Sequence, residues 1–198
     1  KIANAAETRA ALELQHAALA HLASTEPSLP LPRVMAPGIV EHDGHLVRAV
    51  TFLPGAPYAT VPHSDALRHD LGRFMGRVSK GLQGFGHAAA HRPDFLWNLD
   101  EAQAVHEWVV DINDPEDSAV VEAAFRRHRV RVVPLLPHLR GAVVHHDAND
   151  YNVLVDEHTT TGTPSSNVSD RNVSGLIDFG DMVFARQVNE LAVTLAYG

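Results

Sequence analysis

Three oxygen-bearing side chains on two short segments constrain the fold of this chain more than any other feature of its sequence. Asp147 lies in the run from His145 to Asn152, and Asn152 follows Asp147 by five residues. Asp178 lies further on, in Ile177-Asp178-Phe179-Gly180-Asp181. Carboxylate and amide oxygens are ligands that Mg²⁺ prefers, and a carboxylate also accepts protons. The order and the spacing of these groups match those of a phosphoryl-transfer site.

The chemistry of phosphoryl transfer gives each of these residue types a task. A nucleoside triphosphate carries negative charges that repel an attacking oxygen, so Mg²⁺ must neutralise its phosphates. Asn152 and Asp178 are predicted to hold that ion, and Asp147 is predicted to orient the acceptor hydroxyl and take its proton. His145 either holds the loop or acts directly, and the sequence leaves both roles open.

These motifs resemble the aminoglycoside phosphotransferase and choline kinase superfamily. In that family the catalytic loop reads His-Gly-Asp, four variable residues and Asn, and here His146 stands in place of the Gly. Residues 176–181 and 188–193 are most similar to the hydroxylysine kinase and homoserine kinase branches. The resemblance implies an α+β, protein-kinase-like fold of two lobes. We expect residues 1–53 to form a truncated N-terminal, nucleotide-binding lobe, and residues 54–198 a mostly helical catalytic lobe that is incomplete at its end.

The resemblance also gives a role to the first residue. In the family a Lys in a short strand contacts the nucleotide phosphates and pairs with a Glu on the next helix, and Lys1 resembles that Lys. Residues 5–24 are rich in helix formers. Glu13 is the predicted partner of Lys1, with Glu7 as the alternative. The competing interpretation is that both are solvated helix carboxylates, and for Glu7 this interpretation is favoured. The chain lacks an initiating Met and ends inside a predicted helix, so we expect a piece of a longer protein that includes other domains.

Two strands are predicted at residues 38–42 and 45–52, joined by a turn at Asp43-Gly44, after a Pro-rich loop at residues 26–37. Leu53-Pro54-Gly55 then breaks the second strand. In the family this break is the hinge whose backbone binds the nucleotide base, which makes Thr51, Phe52 and Leu53 candidate base contacts. An ordinary strand end has the same local sequence.

Helical patterns are predicted at residues 64–82, 99–111 and 115–129. Ser64 is the expected N-cap of the first of these, and an apolar stripe along it is expected to be core. The stripe consists of Leu67, Leu71, Phe74, Met75 and Val78. Trp97 is interpreted as a buried aromatic, with the wall of an acceptor site as the alternative.

Residues 156–175 are dense in Thr, Ser, Asn, Gly and Pro, and we expect a long, flexible loop between two strands that form a tight hairpin in relatives. The loop is consistent with a lid or with disorder. Two glycosylation sequons at Asn167 and Asn172 are interpreted as chance. The sequence leaves open whether Asp181 binds the acceptor or a water molecule near the metal, and Glu190 is expected to brace the catalytic lobe.

Composition excludes several classes of protein. The net charge of −8 argues against a nucleic-acid surface, and the absence of Cys excludes disulfides. No apolar run reaches the ~20 residues of a membrane span, so no membrane partner is expected and the cytoplasm is the default location. The basic residues at 126–131 are interpreted as a solvated helix end. The 14 His residues lack zinc-site spacing, so a zinc site is not expected.

The predicted reaction is transfer of the γ-phosphoryl group from ATP or GTP to a hydroxyl of a small, amino-bearing acceptor. Hydroxylysine, homoserine, ethanolamine or choline, and aminoglycosides are the candidate acceptors. The alternative is a non-catalytic nucleotide-binding or structural module of a multidomain protein. A protein-directed kinase is disfavoured because no Ala-Pro-Glu segment follows Asp178.

Overall fold

The computed structural model of the chain describes residues 1–156 and 171–198. The helices are α1 (Arg9–Thr25), α2 (Asp65–Gly81), α3 (Pro115–Arg131) and α4 (Val188–Tyr197). The strands are β1 (Val34–His42), β2 (His45–Val50), β3 (Ala56–Pro57), β4 (Gly141–Val144), β5 (Val153–Val155), β6 (Val173–Leu176) and β7 (Val183–Arg186). Short 3₁₀ helices cover Tyr58–Thr60, Ala88–Ala90 and Val133–His138, and a longer one covers Leu99–Asp111. In the described ranges no helix is both long and apolar enough to cross a bilayer.

The first sheet is an antiparallel hairpin of β1 and β2. Its turn is at Asp43 and Gly44, as predicted, and both residues have positive φ angles, 48° and 75°. Two such residues in succession match the right-handed twist of paired strands. Strand β1 begins at Val34, so the Pro-rich loop is shorter than the predicted residues 26–37. A bridge between Ile2 and Val47 brings the start of the chain against β2.

Helix α1 packs beside this hairpin. Its N-cap is Thr8, whose side chain accepts a hydrogen bond from the backbone N–H of Ala11 at 3.2 Å. The helix therefore begins later than residue 5, where the sequence pattern placed it. The residues buried along it are Leu12, Leu14, Gln15, Ala18, Leu19 and Leu22. This face places Gln15 inside the molecule and leaves Glu13 exposed.

Helix α2 forms as its sequence predicts. Ser64 caps its N-terminus, accepting a hydrogen bond from the backbone N–H of Leu67 at 3.1 Å. All five members of the predicted apolar stripe are buried. They share one core with Leu14, Leu19 and Leu22 of α1 and with residues of β5 and β6. This shared core fixes the first helix and the later strands on either side of a cleft.

Two small sheets carry the motif residues. Strands β3, β5 and β6 form an antiparallel sheet in that order, and β4 pairs with β7. The pairing of β5 with β6 confirms the predicted hairpin. However, residues 173–175 belong to β6, because they pair with β5, so the predicted loop of residues 156–175 is wrong at its end. The sequon at Asn167 and the remainder of the predicted lid, residues 157–170, lie outside the described residues.

The segment between α2 and β4 differs in part from its predicted structure. Leu99–Asp111 is a 3₁₀ helix interrupted at Glu101, where the backbone is non-helical. Its first turn is hydrogen-bonded to distant elements, because the Asp100 carboxylate accepts the backbone N–H of Arg186 in β7 and the side-chain Nδ2 of Asn189 in α4. Helix α3 follows and has no buried residue. Its last turn carries His128, Arg129 and Arg131, which agrees with the interpretation of the basic cluster as a solvated helix end.

Candidate active site

A cleft of about 490 Å³ separates the hairpin and α1 from β5 and the segment after β6. Apolar side chains form most of its wall, and charged and polar groups gather at one end. Its lining includes Lys1, Gln15, Arg48, Thr51, Phe52, Leu53 and Asp178. Among the predicted site residues, all three hinge candidates, Lys1 and Asp178 therefore face one space, and Glu13 does not.

The loop after β4 holds Asp147 at both carboxylate oxygens. Asn149 Nδ2 donates to Asp147 Oδ1 at 2.8 Å, and Asn152 Nδ2 donates to Asp147 Oδ2 at 2.6 Å. Burial raises the pKa of Asp147 above its ordinary value, the hydrogen bond from Asn149 lowers it, and the nearby charge of Asp178 raises it. A carboxylate with a raised pKa is a stronger base, as proton acceptance requires.

Asn149 is a residue of this loop that the sequence did not single out. Its side-chain oxygen accepts the backbone N–H groups of Tyr151 at 2.8 Å and Asn152 at 3.0 Å, which closes a turn. One side chain thus shapes the loop and also fixes Asp147. Asn is a typical turn residue because its side chain can accept a hydrogen bond from the backbone two residues on, but the contact of Asn149 with Asp147 depends on the path of the loop.

Asn152 and Asp178 lie at the same end of the hairpin of β5 and β6. The backbone N–H of Ile177 donates to the carbonyl of Asn152 at 2.9 Å, so Asp178 comes directly after that contact. Asn152 Nδ2 donates to the carbonyl and the carboxylate of Asp147, and its side-chain oxygen accepts no hydrogen bond within the described ranges. Asp178 is half exposed and has a φ of 57°. Both side chains therefore offer oxygens on neighbouring segments.

These two residues fit a magnesium ion that also takes oxygens from phosphate. The described residues include no group of three or more His, Cys, Asp or Glu side chains suited to a metal. Mg²⁺ usually takes one or two carboxylates, with substrate phosphates and waters completing its octahedral shell, so it needs no such group. The oxygens of Asn152 and Asp178 match that requirement.

His145 connects the loop to the segment of Asp178. Its Nε2 donates to the carbonyl of Ile177 at 3.2 Å, and its Nδ1 accepts the backbone N–H of Asp147 at 3.3 Å. Burial lowers the pKa of His145 to about 4, so the ring is neutral at physiological pH. The ring of Phe179 meets it edge-on, with centroids 4.7 Å apart. These contacts favour the loop-holding interpretation of His145.

Glu190 supports the same loop from α4. Its Oε2 accepts the backbone N–H of His145 at 2.7 Å, and its side chain is buried. Burial raises the pKa of Glu190 to about 7. Its second oxygen is also buried and has no hydrogen-bond partner among the described residues. The contact with His145 agrees with the expected bracing role of Glu190.

Lys1 does not meet the Glu predicted as its partner. Lys1 Nζ lies 3.8 Å from Asp178 Oδ1, and both side chains are about half exposed. Glu13 is on the exposed face of α1, because Leu12, Leu14 and Gln15 take the buried positions around it. The predicted Lys1–Glu13 pair is therefore absent from the structure. The alternative, Glu7, lines a smaller cavity together with Lys1 and Asp178.

The hinge candidates follow β2 at the cleft. Thr51 is paired with Arg33, donating its backbone N–H to the Arg33 carbonyl at 2.9 Å and accepting the Arg33 N–H on its hydroxyl at 2.8 Å. Phe52 and Leu53 make no backbone hydrogen bond within the described part of the chain. The side chain of Phe52 is 89% exposed. Backbone groups free to bind a planar base are therefore present at Phe52 and Leu53.

A second cavity, of about 370 Å³, includes Asp147 in its wall. It is lined by Trp97, Leu99, His146, Asp147, Asp181, Ala192, Val193, Ala196 and Tyr197. Trp97 is 72% exposed, so the interpretation of Trp97 as a buried aromatic is wrong. His146 Nε2 lies 2.9 Å from the Trp97 carbonyl and attaches this wall to the loop. Burial and, next, the charge of Asp147 raise the pKa of Asp181.

Comparison with known proteins agrees with this geometry. Residues 1–198 match the phosphotransferase enzyme family. Mouse (Mus musculus) hydroxylysine kinase is 33% identical over 156 residues, which are 77% of this chain and 40% of that protein. The chain thus spans less than half the length of this relative.

Solved structures are similar in fold. The GDP complex of a mutant aminoglycoside 2′-phosphotransferase-IIIa has a TM-score of 0.61 and 16% identity, covering 94% of this chain and 61% of its own. An amicoumacin kinase complex with AMP-PNP, Ca²⁺ and amicoumacin has a TM-score of 0.57 and 13% identity, covering 94% of this chain and 53% of its own. These similarities and the two-sided cleft define a protein-kinase-like fold. The chain belongs to the phosphotransferase enzyme family.

Proposed function

We propose that this protein transfers the γ-phosphoryl group of ATP or GTP to a hydroxyl group of a small, amino-bearing acceptor. The observation that carries the proposal is the position of Asp147. It lines the second cavity, while Asp178 on the neighbouring segment lines the larger cleft. A donor in the cleft and an acceptor in the second cavity would meet beside a carboxylate with a raised pKa.

The cleft is assigned to the nucleotide. Thr51, Phe52 and Leu53 form the hinge that receives the base, with the free backbone groups of Phe52 and Leu53 as donors and acceptors. Lys1, at the opposite end, contacts the phosphates. We propose that residues 1–53 act as the nucleotide-binding lobe and residues 54–198 as the catalytic lobe. A cytoplasmic location fits the supply of ATP or GTP that this reaction needs.

Asn152 and Asp178 would hold Mg²⁺, which when bound neutralises the phosphates of the donor. Asp147 orients the acceptor hydroxyl through one carboxylate oxygen and takes its proton as the oxygen attacks the γ-phosphorus. The bond to the leaving nucleoside diphosphate breaks as the new O–P bond forms. Asn149 and Asn152 keep the carboxylate in place during this step, which is the positioning that phosphoryl transfer depends on.

The acceptor is proposed to carry an ammonium group. Asp181 adds a second carboxylate to the cavity of Asp147, and burial with mutual repulsion makes the two negative charges costly. A bound cation would offset that cost. Hydroxylysine is the first candidate because curated relatives are hydroxylysine kinases, and homoserine, ethanolamine or choline, and aminoglycosides follow.

The test is release of nucleoside diphosphate with Mg²⁺, measured with ATP and GTP separately against a panel of hydroxylated amines. The full chain should release the diphosphate only when a hydroxylated amine is present. Asp147→Asn should lower the turnover by about 10²-fold or more, because it removes the proton acceptor.

Asp147→Asn is the matched control because it keeps the size and the planar shape of the side chain, while it removes the charge and one of the two acceptor oxygens. Full turnover in this variant would refute the assignment of the base. Nucleotide binding without acceptor-dependent release in the wild-type protein would instead support a non-catalytic nucleotide-binding module.

A further inference from the structure

Lys1 and Arg48 form a pair of cationic residues at one end of the cleft. The backbone N–H of Arg48 donates to the carbonyl of Lys1 at 3.0 Å, and the backbone nitrogen of Lys1 donates to the carbonyl of Arg48 at 2.8 Å. Residues that exchange both hydrogen bonds across paired strands project their side chains to the same face. Both residues line the nucleotide cleft and also the smaller cavity beside Glu7.

Arg48 is far more buried than Lys1, at 8% exposed. Its Nη2 donates to the side-chain oxygen of Gln15, which is itself buried at 2% exposed. Its Nη1 is buried and has no hydrogen-bond partner among the described residues. Arg48 also forms no ion pair with a described carboxylate. A neutral amide is therefore its one side-chain partner within the described ranges.

A buried, unpaired guanidinium is energetically unfavourable. It stays charged in proteins, and its removal from water is unfavourable unless an anion and hydrogen-bond acceptors offset the loss. Burial lowers the pKa of Arg48, and the charges of Asp178 and Glu7 act in the opposite direction from a distance. The structure thus holds a positive charge at the cleft without a contacting negative charge.

The identity of residue 15 explains why this charge is not cancelled. In the protein-kinase template the strand Lys pairs with a Glu on the following helix. Here the buried, inward position on α1 carries Gln15, and the nearest Glu on the helix, Glu13, is exposed. Gln15 can orient the guanidinium by accepting one hydrogen bond, and it leaves the full positive charge available.

We infer that Arg48, oriented by Gln15, is a second cationic contact for the polyphosphate of the donor nucleotide, beside Lys1. This inference rests on the proposed function, since it requires that the cleft binds a nucleoside triphosphate. The guanidinium, which lacks an anionic partner among the described residues, donates to a phosphate oxygen, and Lys1 contributes a second charge from the neighbouring position. Arg suits this role because its planar donors match phosphate oxygens.

The test compares a nucleoside triphosphate with its nucleoside by calorimetry on the full chain, with Mg²⁺ present. Arg48→Met should weaken triphosphate binding by about 10-fold to 100-fold, because a charge-assisted hydrogen bond is lost, and should change nucleoside binding by less than about 2-fold. Arg48→Lys should give an intermediate loss. The matched control Arg126→Met removes an exposed Arg of α3 and should leave both affinities unchanged.

Two outcomes would overturn the inference. If Arg48→Met binds the triphosphate and the nucleoside equally more weakly, Arg48 only stabilises the packing of β2 on α1. If Arg48→Met binds the triphosphate as tightly as the wild-type protein does, Arg48 has no role in binding. In both cases the proposed function stands, because the wild-type protein binds the nucleotide. A folded wild-type protein that binds no nucleoside triphosphate would instead refute the proposed function and this inference together.

A second measurement keeps the test decisive if Arg48→Met does not fold. Inorganic triphosphate lacks the base and the sugar, so its binding reports the cationic end of the cleft alone. Arg48→Lys, which keeps the charge and most of the side chain, should bind inorganic triphosphate several-fold more weakly than the wild-type protein. Unchanged binding of this probe would contradict a direct contact through the guanidinium.

Discussion

At the scale of single residues, Asn149 and Asn152 hold the same carboxylate but have different proposed tasks. Each donates to one oxygen of Asp147, and only Asn152 is assigned to the metal. Asn149→Ala should therefore lower kcat by about 10-fold or more through loss of positioning, with no change in the Mg²⁺ concentration that gives half-maximal rate. Asn152→Ala should raise that concentration. Initial rates over a range of Mg²⁺ concentrations separate the two, and a shift in Asn149→Ala would contradict this assignment.

Glu190 gives a pH-dependent prediction because its folded-state pKa is about 7, above the ordinary value of 4.5. Between these values the folded protein binds more protons than the unfolded chain, so the free energy of unfolding falls as pH rises. The stability from this group is complete below the lower value and is lost through about pH 7. The Gln side chain of Glu190→Gln does not titrate. The free energy of unfolding of the wild-type protein, relative to that of this variant, should therefore fall by up to about 3 kcal/mol between about pH 5 and pH 8.

Urea unfolding of both proteins across this range measures the difference. His145 has the opposite effect on stability. Its pKa is lowered to about 4 in the folded protein, so the unfolded chain binds the proton more readily and the free energy of unfolding falls as pH falls. It is present in both proteins, so its contribution cancels in the comparison. A pH-independent difference between wild type and Glu190→Gln would show that Glu190 is ionised throughout the range.

The sequence predicted some residues of the site and missed others for physical reasons. The spacing of Asp147, Asn152 and Asp178 follows from the chain path around one hairpin, so local sequence reveals it. Gln15 was missed because it lies two positions after the predicted Glu13. Such a shift changes the face of a helix, and only packing decides which face is buried. Arg48 was missed because its burial depends on the start of the chain, far away in sequence.

At the scale of elements, Gly55 allows the chain to cross between the hairpin and the β3–β5–β6 sheet. Its φ is 142°, and a Cβ there would lie 2.6 Å from Ser174 Oγ and 2.9 Å from the Val155 carbonyl oxygen. Gly55→Ala should therefore destabilise the fold by about 2 kcal/mol or more. Gly72 is exposed on the solvent face of α2 and has no atom within 4 Å of such a Cβ, so Gly72→Ala should stabilise the protein by about 0.5–1 kcal/mol.

The free energy of unfolding in urea distinguishes the two glycines. Gly→Ala is expected to lower the free energy of unfolding at position 55 and to raise it at position 72. This result would exclude a general effect of added methyl groups. Equal stability of Gly55→Ala and wild type would mean that the crossing relaxes without cost and does not fix the cleft.

Elements with strong local signals formed as predicted, and those held by distant contacts did not. Helix α2 has its cap and its stripe in one continuous segment, and the β1–β2 turn is fixed by two adjacent residues. Leu99–Asp111 has a helical composition, but Asp100 binds β7 and α4, which no pattern within the segment reveals. Strand β6 begins in a polar stretch because β5 supplies its hydrogen bonds.

At the scale of the whole molecule, nucleotide binding should couple the two sides of the cleft. Mg²⁺ with nucleoside triphosphate is expected to raise the Tm of wild type and of Asp147→Asn alike, since ligand binding to the folded state stabilises it. Asp178→Ala should lose the Mg²⁺-dependent part of that shift. Thermal unfolding with and without Mg²⁺ makes the comparison, and an undiminished Mg²⁺-dependent shift in Asp178→Ala would contradict the metal assignment.

The central claim is that a hydroxyl group of an amino-bearing small molecule receives the phosphoryl group at Asp147. The most direct test is mass spectrometry of the acceptor after incubation of the full chain with Mg²⁺ and ATP or GTP. Hydroxylysine, or another hydroxylated amine of the candidate classes, should gain one phosphoryl group, and lysine, which lacks the hydroxyl, should gain none. The gain should disappear in Asp147→Asn. A phosphorylated acceptor formed equally by Asp147→Asn, or no phosphorylated hydroxylated amine despite bound nucleotide, would contradict the account.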